Sequence, residues 1–98
     1  MKKHQYRISV EHIADKEGNP VEREPLQFEA ANHDDIFRIV SFMKDSGRFS
    51  DEADAVRFAV GLKLFSEVIL EHKSEPFFSE LSPHFMEIMK IIKNKKGE

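Results

Sequence analysis

From Ser50 to His72 the chain reads as one helix with two apolar faces. Ala55, Phe58, Ala59, Leu62, Phe65 and Ile69 recur at spacings of three and four and make a broad stripe. Val56, Val60, Leu64 and Val68 recur at spacings of four and make a second stripe on the other side. A helix lying on the surface of a core needs only one such stripe. This one is either sandwiched between other elements or shared with a second chain. In 98 residues, with about 60–65% of the unfolded surface buried on folding, the core available to a monomer is modest.

The elements around this helix follow from period and punctuation. Residues 4–14 alternate, with Tyr6, Ile8 and Val10 on one face and Gln5, Arg7, Ser9 and Glu11 on the other, which predicts a half-buried strand. DKEGNP supplies turn chemistry, and Leu26, Phe28 and Ala30 then alternate with Gln27 and Glu29. Pro25 lacks an amide donor, so the second strand should begin there or lie at an edge. The pair predicts an antiparallel hairpin over 4–31. At Asn32 the period becomes helical. Asn32 reads as an N-cap, with Asp34 and Asp35 in the first turn of a helix over 33–46 whose stripe is Ile36, Val40 and Met43. Gly47 is placed to end it in the left-handed conformation. Ser50 or Asp51 caps the 51–72 helix, and Ser82–Pro83 predicts a third helix over 83–95, buried through Phe85, Ile88, Met89 and Ile92. The expected fold is a single α+β domain over 1–98, an N-terminal antiparallel β-hairpin packed against three helices with the 51–72 helix at its centre.

Chemistry is harder to find. The chain has no cysteine, which removes disulfides, thiol nucleophiles and thiolate metal sites together. His4, His12, His33, His72 and His84 do not share a helical turn, so no metal site is expected. The carboxylate pairs Asp34–Asp35 and Asp51–Glu52 sit where a helix dipole favours acids. No nucleophile elbow or phosphate-cradling glycine loop occurs. The expectation is a non-enzyme without cofactor or catalytic residues. Net charge is −3, with twelve acids against five bases over residues 11–54 and lysines toward both ends, Lys95 and Lys96 included. Nucleic acid is therefore not favoured as a partner, and the basic ends read as solvated. No apolar run is long enough to span a bilayer, and MKKHQYRISV alternates where a secretory leader would run apolar. A cytoplasmic protein of bacterial type is expected. Two features stand apart. Phe77 and Phe78 are adjacent aromatics in a connection, suited to covering the core or to anchoring a partner. Arg57 has no packing reason.

Two resemblances add to this reading. Gly47, Phe49, Asp54, Arg57 and Ala59 resemble the second-helix region of bacterial ribbon-helix-helix regulators and antitoxins, over residues 26–70. That likeness implies an intertwined dimer that reads DNA with a strand. The outward residues of LQFEA are Gln27 and Glu29, however, and no lysine or arginine interleaves with them. Over nearly the whole chain, from Lys3 to about Lys93, MKKHQYRISVEH, EPLQFEAANHDDIF, FAVGLKLFSEVI and SPHFMEIMK resemble a small bacterial family known as a domain of unknown function with a determined structure. This implies a compact α+β protein and carries over no functional residue. The favoured function is a non-enzymatic interaction or regulatory module acting as a homodimer through Val56, Val60, Leu64 and Val68. The alternative is a DNA-binding regulator.

Overall fold

A computed structural model describes residues 2–94. The element order is the expected α+β one: β1 (His4–Val10), β2 (Leu26–Asn32), α1 (Ile36–Asp45), α2 (Glu52–Glu71) and α3 (Pro76–Lys93). The chain forms two compact units, one running to Asp35 and the other from Ile36 onward.

In the first unit β1 and β2 pair antiparallel, with Tyr6 opposite Ala30, Ile8 opposite Phe28 and Val10 opposite Leu26. These cross-strand pairs put the alternating apolar residues on one face, as the period-two pattern requires. The opposite face is polar, and Arg7 there donates to Glu29 at 3.0 Å. β1 stops at Val10, short of the predicted Ala14, which makes only an isolated bridge to Pro20. Residues 11–13 on one side face residues 21–25 on the other, so the ladder cannot continue in register. The turn beyond is organised by Asp15, whose Oδ1 accepts from the backbone N–H of Glu17 (3.0 Å) and Asn19 (2.9 Å). Gly18 supplies the positive φ of 91°. The bond from Asn19 above all, then that from Glu17, holds the Asp15 carboxyl below its ordinary range.

Asn32 is not the cap of α1. It is the last residue of β2, buried, and its Oδ1 accepts from the Asp34 N–H at 2.9 Å. This local Asx turn competes with helix initiation, so Asp34 and Asp35 precede α1, which opens only at Ile36. The Tyr6 hydroxyl donates to the Asp34 carbonyl at 3.3 Å.

In the second unit α2 packs against both α1 and α3. Ala55 and Ala59, fully buried, meet Met43 of α1, with Ile39, Val40, Phe49, Leu62 and Ile92 around them. Small residues on α2 let the helices approach closely where the core is densest. Gly47 takes φ 81° after α1, as expected. Asp51, extended at φ −120°, accepts from the Ala53 N–H at 2.9 Å and caps α2.

The start of α3 differs from the sequence expectation. It opens at Pro76, not Pro83, so Phe77 and Phe78 lie in its first turn and not in a connection. Proline at position 76 forces Glu75 into extended backbone (φ −82°, ψ 147°), which ends the preceding turn and starts the helix there. Pro83 then sits inside α3 and removes one main-chain bond, the one its missing N–H would give the Ser79 carbonyl. The final position of the predicted third helix, Lys95, and the Lys95–Lys96 tail lie outside the described residues.

Candidate interaction surface

Successive residues of an α-helix turn by about 100°, so burial along α2 marks which arcs are covered. Ala55, Ala59, Ser66 and Ile69 share one buried arc, with Glu67 buried beside it. The Ser66 hydroxyl donates back to the Lys63 carbonyl at 3.5 Å, and no buried side-chain nitrogen or oxygen among the described residues lacks a partner.

Beside that arc α2 is also apolar. Phe58, Phe65 and Val68 are 40%, 50% and 45% exposed and fall on one stripe, with Gly61 between the two phenylalanines. On α3, Phe77, Ile88 and Ile91 are 45–71% exposed and share a second stripe. Phe65 meets the buried Phe85 of α3 edge-on, ring centroids 6.2 Å apart, so the α2 stripe runs along the seam between the two helices. Ile88 is one turn beyond Phe85. Taking about 200 Å² for a fully exposed phenylalanine and somewhat less for valine and isoleucine, these six side chains leave on the order of 600 Å² of apolar surface in water.

The residues singled out in the sequence divide across this surface. Of the four-residue stripe, Val60 and Leu64 are half-buried, whereas Val56 and Val68 are exposed. Phe58 and Phe65, placed by periodicity in the broader stripe with Ala55, Ala59 and Ile69, lie at its edge, part-exposed and packed on Phe49 and Phe85 respectively. Phe77 is exposed, and Phe78 is half-buried against its ring (5.1 Å) and against His72 (5.4 Å). Arg57 finds its place in an ion pair, its Nη2 2.7 Å from Asp54 Oδ1 one turn earlier. The hydrogen bond and charge of Asp54 raise the guanidinium pKa further above its already high value. With Phe49 and Phe58 this pair lines an open depression, and the two rings sit 5.3 Å apart.

Arg48 was missed by sequence reasoning. From the α1–α2 connection it donates through Nη1 to the Ile92 carbonyl and through Nη2 to the Asn94 carbonyl, both at 2.7 Å. Helix C-termini end in unpaired carbonyls and a partial negative charge, and a planar guanidinium answers both. No local signal announces a partner 44 residues away.

Three of the histidines considered for chemistry have polar partners nearby. His72 Nδ1 lies 2.7 Å from Glu75 Oε2 across the α2–α3 turn. His33 Nε2 lies 3.6 Å from Asp34, and His12 Nδ1 lies 3.1 Å from Arg23. Among the described residues, no three histidines or carboxylates are grouped as a metal would require. No helix there is long and apolar enough to cross a membrane. The polar face of β2, where a ribbon reader would present base contacts, carries Gln27 and an Arg7-paired Glu29.

A family model described as a domain of unknown function with a solved structure (DUF3861) matches residues 4–94. The chain belongs to the DUF3861 family. The match takes in β1 and α3, which lie outside the 26–70 segment likened to ribbon-helix-helix proteins. The DUF3861 chain is also similar to a protein of unknown function from Pectobacterium atrosepticum, known from a crystal structure. The two are 31% identical, with 95% of this chain and 99% of that one covered at a TM-score of 0.78. No curated protein matches the DUF3861 chain significantly. The whole-chain resemblance read from the sequence is thus the correct one.

Proposed function

We propose that the chain is a non-enzymatic, cytoplasmic interaction module with a regulatory role, working as a homodimer through the outward face of α2 and α3. The observation that carries this reading is the apolar stripe Phe58, Phe65 and Val68, continued on α3 by Phe77, Ile88 and Ile91. Specific interfaces remove about 800 Å² from each partner, around an apolar centre with a polar rim. Exposed apolar side chains on both helices, with the Asp54–Arg57 ion pair beside Phe58, suit such a composition. The non-enzymatic part rests on Asp15, Asp51, Asp54 and His72, which are engaged at a turn, a cap and ion pairs.

Light scattering or sedimentation equilibrium of the full chain at tens of micromolar tests self-association. We expect a dimer, and we expect Val68→Asp to give a folded monomer with unchanged far-ultraviolet circular dichroism. Leu64→Asp, at a half-buried position, should lower thermal stability as well. A wild-type chain that stays monomeric removes the homodimer. The DNA-binding alternative would show binding to a random duplex that weakens steeply with salt. With Glu29 on the ribbon face we expect none.

A further inference from the structure

Among the described residues the sheet holds two strands, so β1 has β2 on one side and an outer edge on the other. Such an edge offers main-chain N–H and C=O groups to any strand that fits. β1 carries no proline, and it pairs with β2 from His4 to Val10 without a bulge. Ser9, Val10 and Glu11 are exposed, and so is Arg7, with 69% of its side chain in water.

Charge selects the strand that fits. Directly opposite residues share a face of the sheet, so an antiparallel second copy sets apolar against apolar only when the two-fold axis passes through a residue. An axis at Arg7 sets guanidinium against guanidinium. An axis at Ile8 opposes Arg7 to Ser9, and one at Val10 opposes it to Ile13. Only an axis at Ser9 opposes Arg7 of each copy to Glu11 of the other. The same axis sets Ile8 of each copy against Val10 of the other, and the small Ser9 faces itself. Arg7 already donates through Nη2 to Glu29 at 3.0 Å, but a guanidinium has several N–H donors in a planar fork and can serve a carboxylate on each side. The row Glu29, Arg7, Glu11 then alternates in sign across three strands. Opposite charges directly across a sheet stabilise it, and like charges do the reverse.

We propose that two copies pair β1 on β1, antiparallel, with the two-fold axis at Ser9, in one sheet of order β2–β1–β1–β2. This contact goes beyond the α2–α3 face proposed above and uses none of its residues. A few cross-strand pairs make a weak contact, with Kd on the order of a millimolar, so it forms at higher concentration than the helical one.

The chain has no cysteine, so a single introduced thiol reports the pairing. In the Val68→Asp background, at roughly 500 µM and under mild oxidation, Ser9→Cys should form a disulfide-linked dimer, because directly opposite Cβ atoms lie about 5 Å apart. Gln27→Cys, exposed on the neighbouring strand and opposite Ser9 within the hairpin, should link about tenfold more slowly, since its copies stand beyond disulfide reach. Added to Ser9→Cys, Arg7→Glu or Glu11→Arg alone should slow linking about tenfold, and the two together should link faster than either. Far-ultraviolet circular dichroism checks that each variant is folded. If Gln27→Cys links as fast as Ser9→Cys, or the double exchange is as slow as the single ones, the pairing is overturned. Its failure leaves the helical face untouched, because that face is read at tens of micromolar by Val68→Asp against the wild type.

Discussion

Removing the Arg48 side chain should loosen the end of a helix far away in sequence. In Arg48→Ala, the carbonyls of Ile92 and Asn94 lose two donors held at 2.7 Å, and the C-terminus of α3 loses its facing positive charge. A hydrogen bond involving a charged group contributes about 1.5–3 kcal/mol when well shielded. Arg48 is exposed, so water replaces part of each bond, and the dipole contribution is about 0.3–1 kcal/mol. A loss of about 1.5 kcal/mol is therefore expected for the pair together. For a chain of this length that lowers Tm by roughly 6–12 °C, taking about 4–8 °C per kcal/mol. Arg48→Lys keeps the charge but cannot span both carbonyls, so its loss should fall between the two. Thermal and urea unfolding followed by circular dichroism at fixed protein concentration measures the series, since association would otherwise shift Tm. Amide exchange at Ile91 to Asn94 should quicken selectively. A drop in Tm under about 2 °C for Arg48→Ala, or a lysine variant no better than alanine, would refute the forked cap.

Two further outcomes follow from the turns and the prolines. The Asp15 carboxyl, lowered in the folded turn below its ordinary value of 3.8, contributes stability that is complete above that value and lost as pH falls through the lower folded one. Amide shifts of Glu17 and Asn19 should therefore titrate below the ordinary value, and a midpoint at or above it would contradict the hydrogen-bonded turn. Pro83→Ala restores a donor toward the Ser79 carbonyl and should stabilise α3 by about 1–2 kcal/mol, less than the roughly 3 kcal/mol of an ideal helix interior. A lower Tm for this variant would mean that the proline ring packs in a way the helix needs.

What the sequence made legible was local. Gly47, Asp51 and the Leu26–Phe28–Ala30 alternation carry their reasons within a few residues, and the structure places them as the periodicities imply. The start of α3 was misread because two prolines compete, and Ser82–Pro83 offers the better capping hydroxyl. The winner, Pro76, is decided by the tight turn from His72, where the Glu75 N–H donates to the His72 carbonyl at 2.9 Å. Asn32 was misread because its side chain is equally suited to a helix cap and to an Asx turn at a strand end. The partial exposure of Phe58 and Phe65 was beyond periodicity altogether. An apolar arc spanning most of a helix does not say which part its own chain will cover.

The uneven hairpin connection separates two tasks that one loop usually shares. The Asp15 turn closes on itself through its own hydrogen bonds, and β1 and β2 hold their register through cross-strand pairs. Between them, residues 11–13 and 21–25 carry no regular ladder, only the bond from the Val21 N–H to the Ile13 carbonyl at 3.1 Å and the Arg23–His12 contact. Extra residues placed at Glu22–Arg23 would lengthen a segment that neither clamp depends on. This makes the hairpin arm a natural point for inserting a tag or a binding peptide while α1, α2 and α3 are left untouched.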